Sequence, residues 1–195
     1  MKNIFLHLLY ASFMLIFSFS FAQSDEEETG LKSVLNGFSF RSVGPAFMSG
    51  RIADIAIDPT NENIWYVAVG SGGTWKTTNA GTTWTPLTDD ESFYSTGCIT
   101  LDPSNSSVVW LGTGENVGGR HVGIGHGLYV SNDGGKSWKN SGLKQSEHIS
   151  KIIVHPNDPN TVWVAVQGPL WSSGGERGLY KSTDGGKTWN NTLSI

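Results

Sequence analysis

The stretch that decides the fold is "KSTDGGKTW", residues 181–189. It is written twice more, as "VSNDGGKSW" at 130–138 and, degenerately, as "KTTNAGTTW" at 76–84. The elements held in common are Ser182, Asp184, Gly186 and Trp189; Ser131, Asp133, Gly135 and Trp138; and Asn79, Gly81 and Trp84. An Asp or Asn at the head of a turn accepts hydrogen bonds from backbone N–H groups just ahead of it. Glycine supplies the positive φ that a tight hairpin requires, and Trp gives a large apolar body to lock the hairpin down. These residues read as structural, so function is expected elsewhere in the chain.

The closing tryptophans are 54 and 51 residues apart. Ahead of each lies the same succession. A short run ends in a turn: "IADIAIDPTN", "CITLDPSN" or "ISKIIVHPNDPN". An apolar run follows: "IWYVAV", "VVWLGT" or "VWVAV". An aromatic strand, "TWKT", "LYVS" or "LYKS", then leads into the nine-residue motif and a last short strand ending in Trp. Four short strands per repeat, with Pro, Gly and Asn/Asp turns between them, predict an all-β chain. The fold class is a β-propeller of four-stranded blades with about three blades present, at 51–87, 95–143 and 148–195. Propellers close with four or more blades. The remaining blades are therefore expected from a longer chain, with "FSFRSV" (38–43) as a candidate closing strand.

Residues 1–22 read as a signal peptide: Lys2, then an apolar core from Ile4, then the small-residue end "SFA". Residues 23–37 form a polar leader containing "SDEEETG". The expectation is a mature chain that does not span the membrane and is secreted, periplasmic or on the cell surface. The net charge is −4, without a basic cluster, which excludes a nucleic-acid partner. The single cysteine, Cys98, cannot make a disulfide within the chain and reads as a small buried residue.

The motif copies are similar to the Asp box, or bacterial neuraminidase repeat, Ser-x-Asp-x-Gly-x-Thr/Ser-Trp. Together with "FRSVGPAFMSGRIADIAIDP" and "VGSGGTWKTTNAGTTW", they resemble large exported bacterial Asp-box proteins described as sortilin-like or as glycosyl hydrolases. The Asp box is shared by sialidases, xyloglucanases, sortilin-type receptors and photosystem assembly factors, so the resemblance implies a fold without choosing a function. "FRSVGP" departs from the sialidase Arg-Ile-Pro motif, and no arginine triad is visible. "IAIDPTNENIWYVAVGSGGTWKTTNAGTTW" is similar to the first blade of xyloglucanases. At the place where that family implies a catalytic Asp, this chain has Gly70.

In a four-stranded meander the 1–2 and 3–4 turns share one face, and the 2–3 loops and 4–1 connections share the other. The 2–3 loops are unequal, "GENVGGRHVGIGHGL" and "QGPLWSSGGERG" being much longer than the blade-one loop. Elaborated loops on a rigid scaffold are where binding residues concentrate. They supply Glu115, Asn116, Arg120 and His121, and Trp171, the one Trp outside the regular repeat positions. Arg51 joins them at the start of the first inner strand, with Ser95 and His148 as its counterparts. Glu115 reads either as half of a polar ligand site with Arg120 or as that arginine's salt-bridge partner. Trp171 reads either as a stacking platform or as a cover for a neighbouring blade. The spacing of Glu, His and His matches no metal motif, and "NDGG" lacks the further carboxylates of a calcium loop. "GTGENVGG" departs from the dinucleotide fingerprint. No metal or cofactor is expected. The expectation is an exported binding or interaction module, sortilin-like, for an extracellular peptide, protein or glycan. The alternative is a xyloglucanase-like glycoside hydrolase of extracellular polysaccharide, with catalytic residues partly outside this segment.

Overall fold

The structure is a computed structural model that describes residues 50–116 and 122–194, all within one compact unit, Gly44–Ile195. The expected signal peptide, polar leader and closing strand lie outside the described residues. Among the described residues there is no helix. Twelve strands form three four-stranded antiparallel sheets, each in sequential order, as propeller blades require. The first blade is β1 (Ile52–Ile57), β2 (Trp65–Val69), β3 (Gly73–Thr77) and β4 (Thr85–Pro86). The second is β5 (Thr96–Asp102), β6 (Asn105–Thr113), β7 (Leu128–Ser131) and β8 (Lys139–Asn140). The third is β9 (Ile149–His155), β10 (Asp158–Val166), β11 (Gly178–Ser182) and β12 (Asn190–Leu193).

The inner strands β1, β5 and β9 stand side by side, and the blades meet through their faces. The middle blade is therefore buried on both sides, which is why β6 reads as a continuous apolar run rather than an alternating one. Along β6, Val109 and Leu111 pack with Tyr66, Ala68 and Phe93 toward blade one. Trp110 packs with Ile152, Val162 and Val164 toward blade three. Among the described residues, no sheet packs on the outer flank of blade one. Ile52, Ile55 and Ile57 are exposed there, beside an apolar groove of about 290 Å³ lined by Trp65, Val67, Trp75 and Trp84.

One irregularity repeats in every blade. The ladder between the first two strands shifts register between Ile52 and Asp54, between Thr96 and Cys98, and at the start of β9 opposite Ala165 and Val166. An extra residue in the inner strand bends it and re-aims the side chains at its start. The bulges lie at the face that carries the 2–3 loops.

The repeated turns join the third strand to the fourth. Asp184 Oδ1 accepts from the backbone N–H groups of Lys187 and Thr188, each at 2.9 Å, and from Ser182 Oγ at 2.8 Å. Its Oδ2 accepts from Thr188 Oγ1 at 2.6 Å. Asp133 does the same with Lys136, Ser137 and Ser131. Asn79 makes the corresponding bonds to Thr83 and Thr77. These bonds hold both aspartates ionised well below the usual carboxylate range, with the Thr188 and Ser137 hydroxyl bonds contributing most. They also change where the last strand lies. The residue before each Trp spends its N–H on the turn carboxylate or amide, so the ladder resumes only after the Trp; β4, β8 and β12 follow it, whereas the sequence placed the Trp at the strand's end.

The turn also fastens blade to blade. Trp138 Nε1 donates to the Leu87 carbonyl at 3.1 Å, and Trp189 Nε1 donates to the Ser141 carbonyl at 2.7 Å. Leu87 and Ser141 hold the same place at the end of the preceding blade. Gly135 and Gly186 lie at this seam, where a Cβ would stand 2.6 Å from Leu87 Cδ1 and 2.5 Å from Trp110 Cη2, respectively. Close approach as well as positive φ therefore calls for glycine at both positions.

Candidate functional site

The first aligned inner-strand residues, Arg51, Ser95 and His148, each bond through their carbonyl to the end of the second strand of their own blade. Gly70 N–H donates to Arg51 O at 2.8 Å, Gly114 to Ser95 O at 2.9 Å and Gln167 to His148 O at 2.9 Å. The long loop of the second blade starts at this level, directly after β6, and that start delivers Glu115.

Glu115 is buried, with its side chain 1 % exposed. Its partner is Arg51: Arg51 Nε donates to Glu115 Oε1. Arg120 and His121 lie outside the described residues; among those described, the partner of Glu115 comes from across the blade junction. The Arg51 bond holds the Glu115 carboxyl below its ordinary range, against the opposing effect of burial. Oε2 of Glu115 has no hydrogen-bond partner among the described residues. The backbone is pinned from both sides. The N–H of Glu115 donates to Gly123 O at 2.9 Å, and its carbonyl lies 2.9 Å from His148 Nδ1, which therefore carries the proton of that contact.

The carboxylate occupies a particular place. A Cβ on Gly70 would stand 2.7 Å from Glu115 Oε1 and 2.9 Å from its Cδ. The acid of the second blade thus fills the space of a side chain at position 70. Ser95 Oγ closes the same junction, 2.7 Å from Gly70 O and 3.0 Å from Gly123 O. Asn116 is a structural link here: its Nδ2 donates to Gly97 O at 2.6 Å and its carbonyl accepts from Gln167 Nε2 at 3.2 Å.

The third-blade loop displays Trp171, 79 % exposed, and it covers none of the three described blades. Its support is Arg177, which the sequence did not single out. The Arg177 guanidinium donates to the carbonyls of Pro169 and Ser172 on either side of the Trp171 turn. Glu176 clasps the loop to the preceding connection, its Oε2 accepting from Gln145 N–H at 2.8 Å. Tyr94, 66 % exposed in the connection from blade one to blade two, is a second aromatic on this face that sequence reasoning passed over. Its signal was its place, directly before Ser95. Among the described residues, no three His, Cys, Asp or Glu side chains come together to hold a metal ion.

The loops of this face thus carry one ionised, buried carboxylate paired with an arginine on blade two and, separately, an exposed tryptophan on a braced loop of blade three. That arrangement can bind a polyhydroxylated ligand and oppose a developing positive charge. No family model matches the chain. A probable oligoxyloglucan-reducing end-specific xyloglucanase of Neosartorya fischeri is 26 % identical over 173 residues, covering 82 % of this chain and 20 % of that protein. A xyloglucanase of Hypocrea jecorina is 34 % identical over 113 residues, covering 47 % of this chain and 13 % of its own. The crystal structure of the GH74 enzyme of Niastella koreensis superposes with a TM-score of 0.54 at 27 % identity, covering 72 % of this chain and 22 % of that one. The chain is thus xyloglucanase-like in sequence and a partial propeller in fold. It spans about a fifth of the length of the curated relatives it matches over most of its length.

Proposed function

We propose that the chain is part of an exported, xyloglucanase-like propeller that acts on an extracellular glycan, with Glu115 as the carboxylate of its glycan site. The observation that carries this reading is the Glu115 carboxylate in the side-chain space of Gly70. The resemblance to xyloglucanases implies an acid at position 70, and this chain brings one to the same volume from the neighbouring blade. Held ionised by Arg51, Glu115 suits the role of base or charge stabiliser in glycoside hydrolysis. The companion acid, which must be protonated, is expected from further blades of a longer chain. The match to only a fifth of the relatives' length supports that. Trp171 serves as a stacking platform for a sugar ring. In this reading the chain is exported and loses residues 1–22, and the blades span 51–87, 95–143 and 148–195.

A second reading, glycan binding without turnover, is favoured by one observation: the implied acid at position 70 is absent, and its replacement is tied to an arginine. Calorimetric titration with xyloglucan oligosaccharides, followed by product analysis, tests both. Binding with release of shorter oligosaccharides supports the first reading, and binding without cleavage supports the second. Absence of binding to any xyloglucan oligosaccharide counts against both.

A further inference from the structure

The two blade junctions are built on one plan, and they differ at one place. At the junction of blades one and two, the Gly134 carbonyl accepts from Tyr66 Oη at 3.3 Å and from Lys76 Nζ at 3.2 Å. The lysine also lies over the Tyr66 ring, 4.7 Å from its centroid. Blade one thereby seals the junction with a phenol and an ammonium. At the junction of blades two and three, the residues in those positions are Trp110 and Val130, facing Gly185. The ammonium is gone. The indole Nε1 of Trp110 is buried without a hydrogen-bond partner, in a residue only 3 % exposed.

A cleft of about 770 Å³ opens at this place, toward the face of the repeated turns. Val108, Trp110 and Val130 line it, with Lys139, Lys144 and Lys187 around it. Asp102 is its one carboxylate, and Oδ1 of that residue is already engaged by Ser104 N–H and Oγ at 2.8 and 2.7 Å. The volume is in the range of small-molecule sites, roughly 300–1,000 Å³.

We propose that this cleft is a binding site for an acidic oligosaccharide, one bearing uronate carboxylates. Three ammonium groups around an apolar floor match a ligand whose charges are spread out and whose ring faces are apolar. A compact anion such as phosphate fits less well, because the backbone N–H groups of the turn are already used: Gly185 N–H donates to Asn160 O at 3.0 Å and Gly186 N–H to Ser182 Oγ at 2.8 Å. The Trp110 side chain lines the cleft floor beside Val108 and Val130 and offers an apolar surface to a sugar ring. This site is separate from the Arg51–Glu115 pair and does not depend on what that pair does.

Isothermal titration of the full chain with oligogalacturonate tests the proposal, with a neutral cello-oligosaccharide and inorganic phosphate as comparison probes. The expected result is saturable binding of oligogalacturonate alone, weakened at least tenfold in Lys139→Ala/Lys187→Ala and by raised salt. Trp110→Phe should weaken binding several-fold and, because the indole is part of the core between the two blades, should also lower the melting temperature. Val130→Lys, which restores the lysine of the first junction, should abolish binding in a folded protein. No binding of oligogalacturonate, equal binding of the neutral sugar, tighter binding of phosphate, or unchanged affinity in the lysine pair would each overturn the proposal. Should Val130→Lys not fold, the lysine pair alone decides.

Discussion

A side chain added at Gly70 would collide with the carboxylate of Glu115, whose Oε1 lies 2.7 Å from the position of its Cβ. Position 70 and position 115 therefore compete for one volume. Gly70→Asp should place two carboxylates there, displace Glu115 from Arg51 and destabilise the fold by about 1–3 kcal/mol, the usual range for overpacking. Gly70→Asp/Glu115→Ala should recover most of that loss. Thermal unfolding of the two single variants and the double variant gives the coupling directly, and simple additivity would show that the two positions do not share a space.

The turn of blade one carries strain that its two counterparts avoid. Ala80 has φ +52°, where Gly134 and Gly185 have +73° and +71°. A non-glycine residue in that region costs on the order of 1–2 kcal/mol, partly offset by the chain entropy that glycine loses. Ala80→Gly should raise stability by roughly 0.5–1 kcal/mol, and Gly185→Ala should lower it. Denaturant midpoints of the two variants should move in opposite directions.

Asp184→Ala removes the acceptor of the Lys187 and Thr188 N–H groups and should lower the melting temperature. Asp184→Asn should cost less, since Asn79 fills the same place in blade one. Both Asp133 and Asp184 have depressed carboxyl pKa values in the folded state. The unfolded chain then binds more protons than the native one as acid is added. Stability is fully present above about pH 3.9, the ordinary Asp value, and is lost as pH falls below it. Melting temperatures measured from pH 6 down to pH 2 should fall less steeply in Asp184→Ala than in the wild type.

Cys98 behaves in the opposite sense. It is fully buried, and burial pushes its thiol up to about 12. The native thiol should resist a thiol-reactive dye at pH 8 and react only on unfolding. Because the unfolded thiol ionises near pH 8.5, this group's contribution to stability is complete below that pH and is lost as pH rises toward 12. Rapid labelling of the native protein at pH 8 would contradict the buried placement.

The repeat was legible because its chemistry is local. Asp184 reaches no further than Thr188, so the residues that make the turn are written side by side, and the four-strand spacing follows from them. The candidate site was half legible. Loop length pointed to Glu115 and Trp171, but the Glu115 partner seen among the described residues is Arg51, 64 residues away, which proximity in sequence does not suggest. Only the stacking of blades brings position 51 to position 115. Arg177 was missed for a related reason: it acts on backbone carbonyls, which carry no residue signature. The place of the closing Trp, before the last strand, depended on which N–H groups the turn consumes, and strand propensity does not record that.

The most direct test of the glycan-site account is a comparison of Glu115→Gln with the wild type. Turnover and binding of a xyloglucan oligosaccharide are measured side by side. The change keeps the shape of the side chain and removes its charge. The account predicts turnover reduced by at least a hundredfold, with the dissociation constant changed by less than about threefold and Trp171→Ala weakening binding instead. Unchanged turnover in Glu115→Gln, with full-strength binding in Trp171→Ala, would contradict it.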